Sequence, residues 1–128
     1  MTMMQAPMSL DVAVVMDPIG KIKIGKDTSF AMMLEARRRG HRLHYVAPGG
    51  LSLDGSRAMA RLAPVEVRDQ DVDWFTLGEA RLRPLAEMDV VLMRTDPPVD
   101  ANYLHDSHVL SLAQAGGVLV VNDPAGLR

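Results

Sequence analysis

Three short runs of apolar residues along the chain all end in the same way. They read VAVVMDP (Val12 to Pro18), VVLMRTDPP (Val90 to Pro98) and VLVVNDP (Val118 to Pro124). Each run is continuous rather than alternating, the pattern of a strand covered on both faces, as in a parallel sheet. Asp-Pro then stops the strand, because the carboxylate bonds nearby backbone N–H groups and the proline fixes φ. After the first run, Phe30, Met33 and Leu34 recur at helical spacing, with Asp27, Thr28 or Ser29 placed to cap the helix. Arg37, Arg38 and Arg39 suit its negative end, and Gly40 suits its termination. Leu43 to Val46 follows as a second strand. A second helix is predicted from an Asp100 cap to about Ala115, with Leu104 and Leu112 inward and Gly116-Gly117 after it. The alternation of strands with helices predicts the α/β class with a parallel sheet.

Leu51 to Val67 breaks this rhythm. Asp54-Gly55 between short alternating segments predicts a β-hairpin, read as an excursion from the main sheet. Asp69 to Arg83 is polar and mixed, and reads as a loop with a helical turn, anchored to the core by Trp74 and Phe75. Residues 1–9 read as a loose leader before a single domain over 10–128.

Parallel strands with right-handed crossovers put all their carboxyl ends on one edge, and ligands bind there where strand order reverses. With a strand order of 2-1-3-4, the reversal lies between the first strand and VVLM. Asp17 and the Arg94/Asp96 pair then share one crevice. Arg94 would offer a planar fork of donors to a carboxylate or phosphate. The competing reading is an Arg94–Asp96 ion pair that holds the turn. Asp123-Pro124 reads first as a strand stop.

Composition narrows the chemistry. The 128 residues suit one domain, and 14 Lys+Arg against 16 Asp+Glu leave no footprint for nucleic acid or an anionic membrane. Without cysteine there is no disulfide, thiolate metal site or cysteine nucleophile. No apolar run reaches the roughly 18 residues of a membrane span. The first nine residues have neither the basic nor the apolar region of a secretion signal, so a cytoplasmic location is expected. GKIKIGKD (Gly20 to Asp27) matches G-x-x-x-x-G-K but carries Asp27 where a Ser or Thr should ligate Mg²⁺. A carboxylate there repels phosphate, so the loop reads as a basic edge to the crevice, with Lys26 and Ser29 near the helix N-terminus. His105 and His108 share a helix face without a third ligand, and no metal site is expected.

Taken together, MDPI (Met16 to Ile19), DTSFAMMLEARRRG (Asp27 to Gly40), HY (His44-Tyr45), WF (Trp74-Phe75), LMRTDPP (Leu92 to Pro98) and VNDPAGLR (Val121 to Arg128) stand in order. The set resembles the amino-terminal domain of prokaryotic glutathione synthetases, which are ATP-grasp ligases, over residues 10–128. The resemblance implies a three-layer, mostly parallel, Rossmann-like pre-ATP-grasp fold. It implies an enzyme that joins γ-glutamylcysteine to glycine with ATP and Mg²⁺, through an acyl phosphate. The nucleotide and metal residues would lie in an ATP-grasp domain absent from this chain, which alone would be inactive and hold no catalytic residue. This portion would bind γ-glutamylcysteine and supply contacts for a homo-oligomer. Arg94 is then the first candidate for a substrate carboxylate, Asp17 and Ser29 face the γ-glutamyl group, and Asp96 orients Arg94.

A rival of another class is a free-standing small-ligand-binding or receiver-like signalling module. A receiver wants paired acids after the first strand and a lysine at a later strand end. Here the first strand ends in Asp17 followed by proline, and no strand ends in lysine.

Overall fold

The computed structural model describes residues 9–22, 28–94 and 101–122. Four parallel strands form the centre of the sheet: β1 (Asp11–Val15), β2 (Arg42–Val46), β7 (Val90–Met93) and β8 (Leu119–Asn122). β1 pairs with β2 on one side and β7 on the other, and β7 pairs with β8, all parallel. Among these four, the order is therefore β2-β1-β7-β8, with the reversal beside β1. Two helices make the crossovers, α1 (Thr28–Arg38) after β1 and α2 (Ala101–Ala115) after β7.

Because strand order runs in opposite directions from β1, the two crossovers of one hand fall on opposite faces. Alternate residues of β1 separate accordingly. Val12, Val14 and Met16 pack with Phe30 and Met33 of α1, whereas Ala13 and Val15 pack with Val109, Leu110 and Ala113 of α2. The continuous apolar run read from the sequence is thus a strand that feeds two cores. Gly40 closes α1 with φ at +86°, a conformation that costs a side chain and suits glycine.

The remainder of the sheet corrects the expectation of an excursion. β3 (Leu51–Asp54) and β4 (Arg57–Val67) do form the hairpin, and Gly55 takes φ +63° at the first of its two loop positions. However, β4 also pairs antiparallel with β2 at His44↔Pro64 and Tyr45↔Ala63, so the hairpin extends the main sheet. The 69–83 segment is not simply loop either. It contributes β5 (Phe75–Leu77) and β6 (Arg81–Pro84), both antiparallel to β4. The sheet as a whole is mixed, with parallel pairing confined to the four central strands. Alternation failed as a guide because β4 changes its allegiance along its length: Ala60 and Leu62 join the α2 core, Val65 and Val67 the α1 core. Trp74 is buried and meets Phe30 edge-on at 5.0 Å and Phe75 at 4.7 Å, the anchor its sequence context suggested.

Of the expected leader only Ser9 is described. Its Oγ donates to Gly40 O at 2.8 Å and accepts from Arg42 Nη1 at 3.0 Å. At the amino ends of β1 and β2, Asp11 accepts from Arg42 Nε and Nη2 and lies 3.0 Å from His44 Nε2. The Arg42 guanidinium holds the Asp11 carboxyl well below the usual carboxylate range.

Candidate functional site

The carboxyl ends of β1, β2 and β7 are joined to one another by a short series of bonds. Arg94, the residue after β7, donates its backbone N–H to Val15 O at 2.7 Å. Met16 N reaches Val46 O at 3.3 Å, tying β1 to the end of β2. The chain then passes through Asp17 and Pro18 into a 3-10 turn, Ile19–Lys21, closed by Lys21 N donating to Pro18 O at 2.9 Å. Ile19 N donates to the Tyr45 hydroxyl at 3.1 Å inside the protein. Tyr45 comes from β2, so the turn that carries Asp17 is held from the neighbouring strand.

α1 begins at this same edge. Its first turn contains no acidic residue, so the partial positive charge of its exposed N–H groups meets no acid from its own first turn. Ser29 lies in that turn and is buried, with 6% of its surface exposed. Arg94 Nε donates to Ser29 Oγ at 3.1 Å, across 65 residues of sequence. The half-buried Arg94 is therefore fixed twice, by its own backbone to β1 and by its head group to α1. Asp17 is half-buried two residues beyond β1, on the same edge.

Three of the sequence-derived candidates, Asp17, Ser29 and Arg94, thus stand at the point of strand reversal. Ser29 meets Arg94 directly, a contact the sequence did not announce. Lys26, Asp96, the Asp100 cap and Asp123-Pro124 lie outside the described residues. Tyr45 was missed as a positioning residue. Its signal was available in the His44-Tyr45 pair at the end of the second strand, since a tyrosine closing a buried strand needs a partner for its hydroxyl. Of the two helical histidines, His105 Nε2 lies 3.1 Å from Leu51 O, and His108 is exposed. Among the described residues, no three His, Asp or Glu side chains converge as metal ligands.

Chemically, a guanidinium beside a helix N-terminus favours an anion. Asp17 adds an acceptor suited to an ammonium or N–H group. This combination suits a zwitterionic carboxylate better than a phosphate, which the carboxylate of Asp17 would repel.

Comparison with known proteins gives the family. Residues 10–128 match the family model described as prokaryotic glutathione synthetase, N-terminal domain. The chain is 63% identical over 121 residues to a protein named glutathione synthetase from Xanthomonas axonopodis pv. citri (strain 306), covering 94% of this chain and 38% of that protein. It is 57% identical over 121 residues to the glutathione synthetase of Xylella fastidiosa (strain Temecula1 / ATCC 700964), with the same coverage of each. Against that of Escherichia coli O157:H7 the identity is 45% over 120 residues, covering 93% of this chain and 38% of the relative. The chain spans less than two-fifths of the length of these relatives.

Proposed function

This chain belongs to the family of prokaryotic glutathione synthetase N-terminal domains, and on that premise we propose that it forms one wall of the γ-glutamylcysteine site of an ATP-dependent carboxylate–amine ligase. Residues 10–128 act as a single substrate-binding domain in the layered, Rossmann-like pre-ATP-grasp arrangement. ATP, Mg²⁺ and the residues that bind them belong to a following ATP-grasp domain, and glycine is the second substrate. The chain by itself binds substrate without ligating it. The complete enzyme works in the cytoplasm as a homo-oligomer.

The observation that carries this reading is the fixed position of Arg94. Its Nε bond to Ser29 and its backbone bond to Val15 leave the guanidinium little freedom at the strand-reversal edge. In the proposed site it grips a carboxylate of γ-glutamylcysteine, and Asp17 takes the γ-glutamyl ammonium. Ser29 orients Arg94; Asp96 assists that orientation and Lys26 adds positive charge for the substrate.

Calorimetric titration of γ-glutamylcysteine into the chain tests the assignment. Arg94→Ala is expected to weaken binding by roughly a hundredfold, the loss of a charge-assisted bidentate contact of about 2–3 kcal/mol. Equal affinity in wild type and variant would remove Arg94 from the site. Mixed with ATP, Mg²⁺, γ-glutamylcysteine and glycine, the chain is expected to form no glutathione; measurable turnover would overturn the division of labour.

A further inference from the structure

We infer that the face of β7 and β8 on the α1 side of the sheet seats an amphipathic helix from the polypeptide that follows this domain. The inference rests on the reading that further chain follows, and not on the assignment of Arg94 to a substrate.

Its ground is an inequality between the two faces of the parallel strands. Paired residues of neighbouring strands share a face, and consecutive residues alternate. Val91 and Val120 therefore lie on one face, where Val109, Leu110 and Ala113 of α2 cover them. Val90, Leu92, Leu119 and Val121 lie on the other. There α1 packs over β1 and β2, with Phe30 and Met33 in one cluster with Val12, Val14, Leu43 and Tyr45. Beyond α1, no element among the described residues covers β7 and β8. Val90 and Leu92 are half-buried, Leu119 stays 57% exposed and Val121 39%. Parallel strands are covered on both faces, and four adjacent apolar side chains make a contiguous patch rather than scattered exposure.

The shape of the patch fits a helix. α1 borders it with Ala31, Met32, Glu35, Ala36 and Arg39, a single stripe at helical spacing, which together with Leu92 lines a cleft of about 400 Å³. Ala31 and Ala36 let a second backbone approach closely. Glu35, tied to Arg39 at 2.6 Å, gives the rim a polar edge. Two strands about 4.8 Å apart offer roughly 10 Å of width, the breadth of one helix. β7 and β8 are four residues each; at about 3.3 Å per residue they are ~13 Å long, the length of about nine helical residues.

The course of the chain identifies the occupant. β8 is an edge strand ending at Asn122, and residues 123–128 are too few for a turn and a helix of that length. The matched region is an N-terminal domain and makes up 38% of the 63%-identical relative. Polypeptide continuing from β8 therefore starts at the border of the uncovered face. A tethered segment acts at an effective concentration of about millimolar, an advantage that a second copy or a separate partner lacks.

The test is an NMR titration of the methyl-labelled chain with a synthetic peptide taken from immediately after the matched region of that relative. A length of about thirty residues includes a turn and a helix of three turns or more. Saturable shifts are expected at the methyls of Val90, Leu92, Leu119 and Val121, and at Ala31 and Met32. Leu119→Asp alters an exposed side chain and should fold as wild type, yet weaken the peptide about tenfold by placing a charge in an apolar contact. Leu82→Asp alters a similarly exposed side chain on β6 and should bind as wild type. γ-Glutamylcysteine added to the same sample reports separately at Asp17, Ser29 and Arg94, so failure of that site leaves this result standing. The inference fails if no saturable shift occurs or if Leu119→Asp keeps full affinity. It fails also if the chain alone dimerises in sedimentation and Leu119→Asp abolishes the dimer, which would give the face to a second copy.

Discussion

Tyr45→Phe removes a single oxygen from a buried side chain and leaves the packing of β2 otherwise intact. That oxygen accepts the Ile19 N–H at 3.1 Å, and Ile19 itself is 4% exposed. The variant therefore leaves a buried donor without an acceptor, at a cost of about 1–3 kcal/mol. The lower part of that range applies, because the 3-10 turn keeps its own Lys21–Pro18 bond and can tilt to admit water. A loss of about 1–1.5 kcal/mol is expected in urea denaturation, with the slope unchanged. The same loss should appear locally. Amide exchange at Ile19 and Lys21 should quicken roughly five- to tenfold, whereas exchange in β1 changes only with global stability. Asp17 rides on this turn, so affinity for γ-glutamylcysteine should fall severalfold in the variant. Unchanged exchange at Ile19, together with unchanged stability, would refute the claim that Tyr45 positions the turn.

Other consequences follow from the same packing. The Asp11 carboxyl has a folded-state pKa depressed by Arg42, so its contribution is fully present above the unfolded value near ~3.9 and is lost as pH falls through the folded value. Asp11→Asn should be less stable than wild type by about 1 kcal/mol at neutral pH, discounted for the half-exposed Arg42. The gap should close in denaturation curves taken progressively below about pH 4; a gap that widens on acidification would contradict the assignment. Trp74→Ala removes the ring that joins Phe30 to Phe75 and should cost about 3–5 kcal/mol in the same assay. At Gly50 an added Cβ would stand 2.9 Å from Ala47 O and from Val46 Cγ1. Gly50→Ala should therefore destabilise by about 1–3 kcal/mol, and a neutral result would show that the Ala47–Gly50 turn relaxes freely.

Much of the central architecture was legible because its signals are local. Continuous apolar runs, Asp-Pro stops and Gly40 after three arginines report on a few neighbouring residues each, and those neighbours set the strand, the stop and the cap. The edge of the sheet was not legible. β4 pairs along its length with β3, β6, β2 and β5, so each stretch of it answers to a different partner and no single period survives. β5 and β6 exist because β4 presents an edge to them, and their own residues, FTL and RLRP, carry almost no strand pattern. At the site, residue types and strand order together were enough to place Asp17 and Arg94 on one edge. The Ser29–Arg94 bond depends on how α1 returns across the sheet, which is a matter of packing angle rather than of sequence spacing.

That bond also explains why one Asp-Pro strand end differs from another. Asp17 and Arg94 gain their position from β1 and its parallel neighbour β7, the pair at which strand order reverses. At the reversal the helices leave on opposite faces, and ligands of such sheets bind at that edge. Arg94 is therefore informative because of where the chain turns. An arginine after β2, with the same neighbours in sequence, would face the Ala47–Gly50 turn and the antiparallel extension instead. Moving the cation to that position by the paired change Arg94→Ala and Ala47→Arg should not restore γ-glutamylcysteine binding. Recovery of affinity in that double variant would show that charge alone, and not its place at the strand reversal, selects the substrate.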